Sequence, residues 1–93
     1  MDRAAALARL MAHEAALKRL GVERLYLFGS TARDDSDVEL FFNYPKGRFG
    51  LFDLMDVRDL ATSILGRKAD VVTRDSLHKT LRQRIEASAV RVF

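Results

Sequence analysis

The first part of the chain combines an amphipathic segment with a short apolar one. Apolar residues between positions 7 and 20 fall on one arc of a helical wheel, and Gly21 follows where a helix would end. The residues on this arc are Leu7, Leu10, Met11, Leu17 and Leu20. The run RLYLF at positions 24–28 is apolar and aromatic, which indicates a strand buried on both faces. This part of the sequence therefore predicts one helix followed by a central strand.

The middle of the chain alternates in polarity and then becomes loop-like. In DVELFF, at positions 37–42, alternation places Val38, Leu40 and Phe42 on one face of a strand and the two acidic residues on the other. The next eight residues, NYPKGRFG, contain the only proline of the chain and two of its five glycines. This composition is typical of a loop. The pattern predicts a second strand and then a connection at positions 43–50.

The last part of the chain predicts helix, strand and helix. Apolar residues recur at helical spacing from Leu54 to Leu65, and Gly66 marks the helix end. ADVV, at positions 69–72, is a third short strand, after which Thr73 can cap a helix that ends near Val90. Its predicted core stripe is Leu77, Leu81 and Ile85. The order of elements predicts an α/β (α+β) fold, with a small mixed sheet covered by helices.

Composition limits the classes of function. A chain of 93 residues suits a single domain over residues 1–93. The absence of cysteine excludes disulfide scaffolds and thiol nucleophiles, and we expect a cytoplasmic protein. The longest uncharged run has eight residues, so no membrane segment is expected. Sixteen basic against thirteen acidic residues leave a net charge of +3, which permits nucleic-acid binding but does not indicate it.

A candidate phosphate-binding turn follows the first strand. Gly29 and Ser30 stand at the carboxyl end of that strand, where free backbone N–H groups favour a phosphate. Gly29 allows close approach to the backbone, Ser30 adds a hydroxyl donor, and Arg33 adds a positive charge. A plain turn is the alternative interpretation of these residues.

Three acidic residues form the second candidate site. Asp37 and Glu39 project from the same strand face one pleat apart, where two carboxylates repel each other unless a cation lies between them. Hard oxygen ligands of this kind suit Mg²⁺ that carries the phosphates of a nucleotide. Asp70 opens the third strand and would join them if the second and third strands are adjacent. The alternatives are a solvated polar strand face and a strand-entry residue.

The combination FGSTARDDSDVELFF resembles the signature of the DNA polymerase β-like nucleotidyltransferase superfamily, and residues 50–90 resemble the rest of its minimal nucleotidyltransferase (MNT) family. The resemblance implies a polymerase β palm-like fold. It also implies that Asp37, Glu39 and Asp70 are catalytic residues that hold Mg²⁺. Gly29 and Ser30, with Arg33, would bind the nucleotide.

The same resemblance implies a reaction and a partner. Such proteins transfer a nucleoside monophosphate, here AMP from ATP, to a hydroxyl group, and they are commonly antitoxins paired with HEPN-type toxins. A catalytically silent antitoxin stays open as the alternative, favoured by Glu39 in place of the commoner Asp and by only six residues between Ser30 and Asp37. A nucleic-acid partner is the weakest possibility, and a homo-oligomer is left open.

Aromatic residues beside the only proline suggest where a partner would bind. Tyr44, Phe49 and Phe52 are more aromatic residues than a solvated loop normally carries, so we expect them to form part of an exposed contact surface. The alternative is that these side chains fold back over the core.

Overall fold

A computed structural model describes residues 3–28, 38–45, 51–77 and 79–93, with residues 51 and 52 described by their backbone alone. The helices and strands follow in the order α1 (Arg3–Ala12), α2 (Glu14–Arg19), β1 (Arg24–Phe28), β2 (Val38–Asn43), α3 (Leu51–Leu65), β3 (Ala69–Thr73), α4 (Lys79–Ser88) and β4 (Val90–Arg91). A short 3₁₀ turn, Arg74–Ser76, connects β3 to α4. None of the helices in this described part is long and apolar enough to cross a membrane.

The strands form a mixed sheet in the order β3-β2-β1-β4. β1 is antiparallel to both β2 and β4, whereas β2 and β3 are parallel. The predicted class, a small mixed sheet with helices, is confirmed. The adjacency of β2 and β3, on which the convergence of the acidic residues depends, is confirmed as well.

Alternation along the strands gives the sheet two different faces. On one face, here called the back face, Leu25 is paired with Phe42 and Leu27 with Leu40, and all four side chains are buried. They form one apolar core with residues from α1, α2 and α3, among them Leu10, Leu17, Val57 and Leu65. The opposite face, here called the front face, carries Tyr26, Phe28, Glu39, Phe41 and Asp70. β1 is therefore fully buried on its back face alone, because Tyr26 and Phe28 are only partly buried.

The first predicted helix is divided in two. His13 separates α1 from α2 with φ −112° and ψ 22°, outside helical geometry, although the chain resumes a helix at once. Leu10 and Leu17 are buried as expected, but Met11 is 56% exposed because the buried positions of α1 are Ala6 and Leu10. The prediction of one continuous buried arc was wrong at this break.

The second predicted helix is confirmed as α3. Gly66 adopts φ +70°, a left-handed conformation that favours glycine, and its N–H donates to Thr62 O at 2.9 Å. The chain can therefore turn directly from α3 towards β3. This short turn brings Asp70 to the start of β3, an edge strand of the sheet.

The third predicted helix differs most from expectation. Thr73 makes no side-chain cap bond, and Leu77 adopts an extended backbone with ψ 133°, so α4 begins only at Lys79. Leu81 is 48% exposed and α4 contains no buried residue, which corrects the predicted core stripe. The helix ends at Ser88, and Val90 pairs with Leu27 in a strand that the sequence pattern did not reveal. Val92 and Phe93 then enter the core.

Candidate functional site

Two of the three predicted acidic residues lie side by side on the front face. Glu39 of β2 and Asp70 of β3 are direct partners in the parallel register, so their side chains leave the sheet on the same side. Neighbouring strands are about 4.8 Å apart, which brings two such carboxylates within reach of one cation. Glu39 is partly buried and Asp70 is exposed. The two carboxylates are therefore accessible from the protein surface on the side of β3.

The other predicted site residues fall elsewhere in the chain. Gly29, Ser30, Arg33 and Asp37 lie outside the described residues, so their roles stay predictions. Among the residues that the structure describes, no group of three acidic, histidine or cysteine side chains could hold a metal ion. Glu39 and Asp70 form the described part of the predicted acidic site, and their hard oxygen donors are of the type that Mg²⁺ binds.

A cleft of about 480 Å³ lies between the front face and α4. Phe28 and Glu39 line it from the sheet, and positions 81, 84, 85 and 88 line it from the helix. Positions 81 and 84, 81 and 85, 84 and 88, and 85 and 88 are three or four residues apart, so all four positions lie on one stripe along α4. The helix supplies two apolar side chains, Leu81 and Ile85, together with Arg84 and a serine hydroxyl. The cleft is thus a mostly apolar space with a carboxylate on one wall and a guanidinium on the other.

Sequence reasoning missed this wall of the site. The sequence pattern predicts Leu81 as a core residue and predicts no role in a site for Arg84. The available signal was the apolar spacing of Leu81 and Ile85 combined with an arginine on the same stripe. That signal is ambiguous in a sequence, because an amphipathic helix normally directs such a stripe into the core.

A second feature of the front face is the contact between Arg74 and Glu86. Arg74 donates from Nε to Oε1 at 3.3 Å and from Nη2 to Oε2 at 2.9 Å, a bidentate arrangement. Arg82, one turn before Glu86 on α4, donates from Nε to Oε1 at 2.7 Å. Hydrogen bonds from Arg74 and Arg82 lower the pKa of Glu86 to about 2, and the bond to Glu86 raises the pKa of Arg74.

Arg74 also contacts the aromatic side chains of the sheet. Its guanidinium carbon lies 5.7 Å from the ring centre of Tyr26 and 6.0 Å from that of Phe41, which is cation–π distance. The two rings stack at 4.8 Å, and Phe28 packs against Phe41 at 5.5 Å. Arg74 therefore joins α4 to an aromatic floor that continues up to Phe28, the cross-strand partner of Glu39.

Comparison with known proteins identifies the family. A family model described as a nucleotidyltransferase domain matches residues 10–92, nearly the whole chain. The chain belongs to this family. It is 35% identical over 81 residues to "Putative protein adenylyltransferase MJ0435" of Methanocaldococcus jannaschii, covering 83% of this chain and 86% of that protein.

Solved structures of minimal nucleotidyltransferases share the fold of this nucleotidyltransferase domain. A "putative minimal nucleotidyltransferase" matches with a TM-score of 0.75 and 31% identity, over 97% of this chain and 95% of that chain. A tri-AMPylated Shewanella oneidensis HEPN toxin in complex with an MNT antitoxin matches with a TM-score of 0.62 and 18% identity. That match covers 88% of this chain and 70% of the other. The resemblance to minimal nucleotidyltransferases is thus confirmed in family and in fold.

The predicted aromatic contact surface is only partly described in this nucleotidyltransferase domain. Tyr44 packs against the core, meets Phe42 edge-on at 6.3 Å, and donates from its hydroxyl to Asp75 Oδ2 at 3.3 Å. Phe49 lies outside the described residues, and of Phe52 only the backbone is described. For Tyr44 the alternative, folding back over the core, fits the structure.

Proposed function

We propose that this nucleotidyltransferase domain transfers AMP from ATP to a hydroxyl group of a partner protein. The observation that carries the proposal is the register of β2 and β3, which sets Glu39 directly beside Asp70 on the front face. The relative from M. jannaschii is named as a protein adenylyltransferase, and the Shewanella complex contains an AMPylated toxin. Both favour a protein acceptor over a small molecule.

The acidic residues would organise the reaction. Asp37, Glu39 and Asp70 would hold Mg²⁺, which supplies positive charge for the phosphate oxygens. Asp70 would accept the proton of the acceptor hydroxyl, whose oxygen attacks the α-phosphorus of ATP. The bond from that phosphorus to the bridging oxygen of the β-phosphate breaks, and pyrophosphate leaves. Gly29, Ser30 and Arg33 would bind the departing phosphates.

The partner we propose is a HEPN-type toxin, so that the domain acts as an antitoxin. Asp70 is exposed at the side of the sheet where β3 forms the edge, which leaves room for a large acceptor. The solved complex of an MNT antitoxin with a HEPN toxin supports this kind of pairing for a similar fold. A cytoplasmic location, expected from the absence of cysteine, accompanies this proposal.

A label that follows the α-phosphate tests the function. The domain, Mg²⁺ and ATP labelled at the α-phosphorus are incubated with a HEPN-type toxin from the same organism, and label is measured on the separated proteins. We expect α-label on the toxin, and γ-labelled ATP should leave none. Label from both nucleotides would indicate transfer of more than AMP and contradict the proposal. A bound but unlabelled toxin would instead favour the silent antitoxin, the alternative suggested by Glu39 and the six-residue spacer.

A further inference from the structure

The neighbours of Glu39 on its two sides are chemically different. In the sheet order β3-β2-β1-β4, Asp70 flanks Glu39 on one side and Phe28 on the other. Asp70 is exposed at the edge strand, whereas Phe28 forms a wall of the cleft beneath α4. An acidic, open side and a mostly apolar, walled side therefore meet at Glu39.

The α4 wall of the cleft has an uncommitted cation. Arg74 and Arg82 both bind Glu86, at 2.9 Å and 2.7 Å. Arg84 is exposed and makes no ion pair within the described ranges, although it lines the cleft opposite Glu39. One turn before it, Leu81 is an apolar side chain that is 48% exposed. The helix thus presents a positive charge without an ion-pair partner among the described residues, next to an apolar side chain that is about half exposed.

These features match the two chemical parts of a nucleoside triphosphate. Ligand sites commonly enclose about 300–1,000 Å³, and the cleft of about 480 Å³ falls within that range. A nucleoside has a flat, largely apolar base that suits Phe28, Leu81 and Ile85, and its phosphates suit a guanidinium. If Asp70 takes the proton of the acceptor, the acceptor occupies the open side, which leaves the cleft for the donor.

We infer that the cleft between β1 and α4 is the donor subsite, in which Arg84 pairs with the phosphates of the nucleotide and Leu81 and Ile85 contact its nucleoside. This inference rests on the proposed function and adds residues that the acidic motif does not contain. It makes α4 a specificity element for the donor and not for the acceptor protein. It also explains why the apolar stripe of α4 is only partly buried.

Nucleotide affinity tests the inference with two matched pairs of variants. Arg84→Glu is compared with Arg58→Glu, which makes the same charge change at an exposed position of α3, behind the sheet. Leu81→Gln is compared with Met55→Gln, also on α3, because Met55 is 41% exposed. The dissociation constant of the Mg²⁺ complex of a non-hydrolysable ATP analogue is measured by calorimetry. Thermal unfolding confirms that each variant is folded.

We expect Arg84→Glu to weaken binding at least about tenfold and Leu81→Gln about threefold to tenfold. Both control variants should bind like the wild-type domain. Equal affinity in all four variants, with wild-type binding intact, would overturn the inference and leave the proposed function standing. A raised KM for the toxin with unchanged nucleotide affinity would assign the cleft to the acceptor and also overturn it. A folded wild-type domain that binds no nucleotide would contradict the proposed function, and with it the inference.

Discussion

The two faces of the sheet are built from the same strands but differ in burial and in polarity. On β2, Leu40 and Phe42 are fully buried on the back face, while Glu39 between Val38 and Leu40 is only partly buried on the front face. A step of one residue therefore separates a core position from a position of the candidate site. The comparison teaches that stability and chemistry can be changed independently in this small domain, provided that neighbouring residues on one strand are distinguished.

The helices on the two faces are held in different ways. α1, α2 and α3 each contribute buried apolar side chains to the core on the back face. α4 has no buried residue, and it is fixed by the Arg74–Glu86 pair and by β4, whose following residues Val92 and Phe93 enter the core. Apolar burial stabilises more than a partly exposed ion pair does. We therefore expect α4, here called the front layer, to be held to the sheet more weakly than the helices on the back face.

The largest expected difference is between two leucines. Leu40→Ala should lower the free energy of unfolding by about 2–5 kcal/mol, because it leaves a cavity in a well-packed core. Leu81→Ala should cost less than about 1 kcal/mol, because that side chain is 48% exposed. Urea unfolding of both variants measures the difference. Equal losses would show that α4 belongs to the core after all.

Glu39→Gln should abolish most of the activity and leave the stability of the domain nearly unchanged. Loss of the carboxylate should reduce AMP transfer by about a hundredfold or more, a cost of roughly 2.7 kcal/mol. The free energy of unfolding should change by less than about 1 kcal/mol, because Glu39 belongs to the front face and not to the core. Label transfer and urea unfolding are measured on one preparation. A transfer rate close to wild type would remove Glu39 from the site.

Arg74→Ala should weaken the packing of α4 against the front face of the sheet. The change removes the bidentate bond to Glu86 and the contact with the rings of Tyr26 and Phe41, so we expect the unfolding midpoint to fall by several degrees. Arg82→Ala removes a single bond to Glu86 and should lower the midpoint less. Calorimetric melting compares the two. An equal or larger effect of Arg82→Ala would show that the aromatic contact of Arg74 contributes nothing.

The smallest expected effect is a dependence of stability on pH. Glu86 has a pKa of about 2 in the folded domain against an ordinary value of 4.5. A lowered folded pKa stabilises the domain above the ordinary value, and this contribution is lost as the pH falls from about 4.5 towards 2. Glu86→Gln should therefore be less stable than wild type at pH 7, and the difference should shrink in acid. A constant difference across that range would contradict the assignment.

The extent to which sequence predicted structure also differs between the two faces. Alternation of acidic and apolar residues in the first half of β2 and regular helical spacing in α3 predicted the back face, because burial of a continuous apolar surface leaves a clear periodic pattern. The acidic motif predicted that Glu39 and Asp70 would converge, and their register confirms it. These features depend on local patterns or on the adjacency of two strands.

The front layer could not be predicted in the same way. α4 has the spacing of a core-packed helix, and nothing local shows that its stripe faces a cleft. The Arg74–Glu86 contact joins residues 12 positions apart in different elements, and β4 contains only two residues. Strand pairing of this kind is decided by tertiary contacts and not by propensity. Local patterns therefore predicted β1, β2, β3 and α3, whereas the break at His13, the orientation of α4 and the pairing of β4 depend on tertiary contacts.

Intact-mass measurement of the partner toxin tests the central claim most directly. The wild-type domain and Asp70→Asn are each incubated with Mg²⁺, ATP and the toxin, after their unfolding curves have been shown to agree. The account predicts that the toxin gains the mass of one or more AMP groups with the wild-type domain, releasing one pyrophosphate for each, and gains none with Asp70→Asn. An unmodified toxin in both reactions, or equal modification in both, would contradict it.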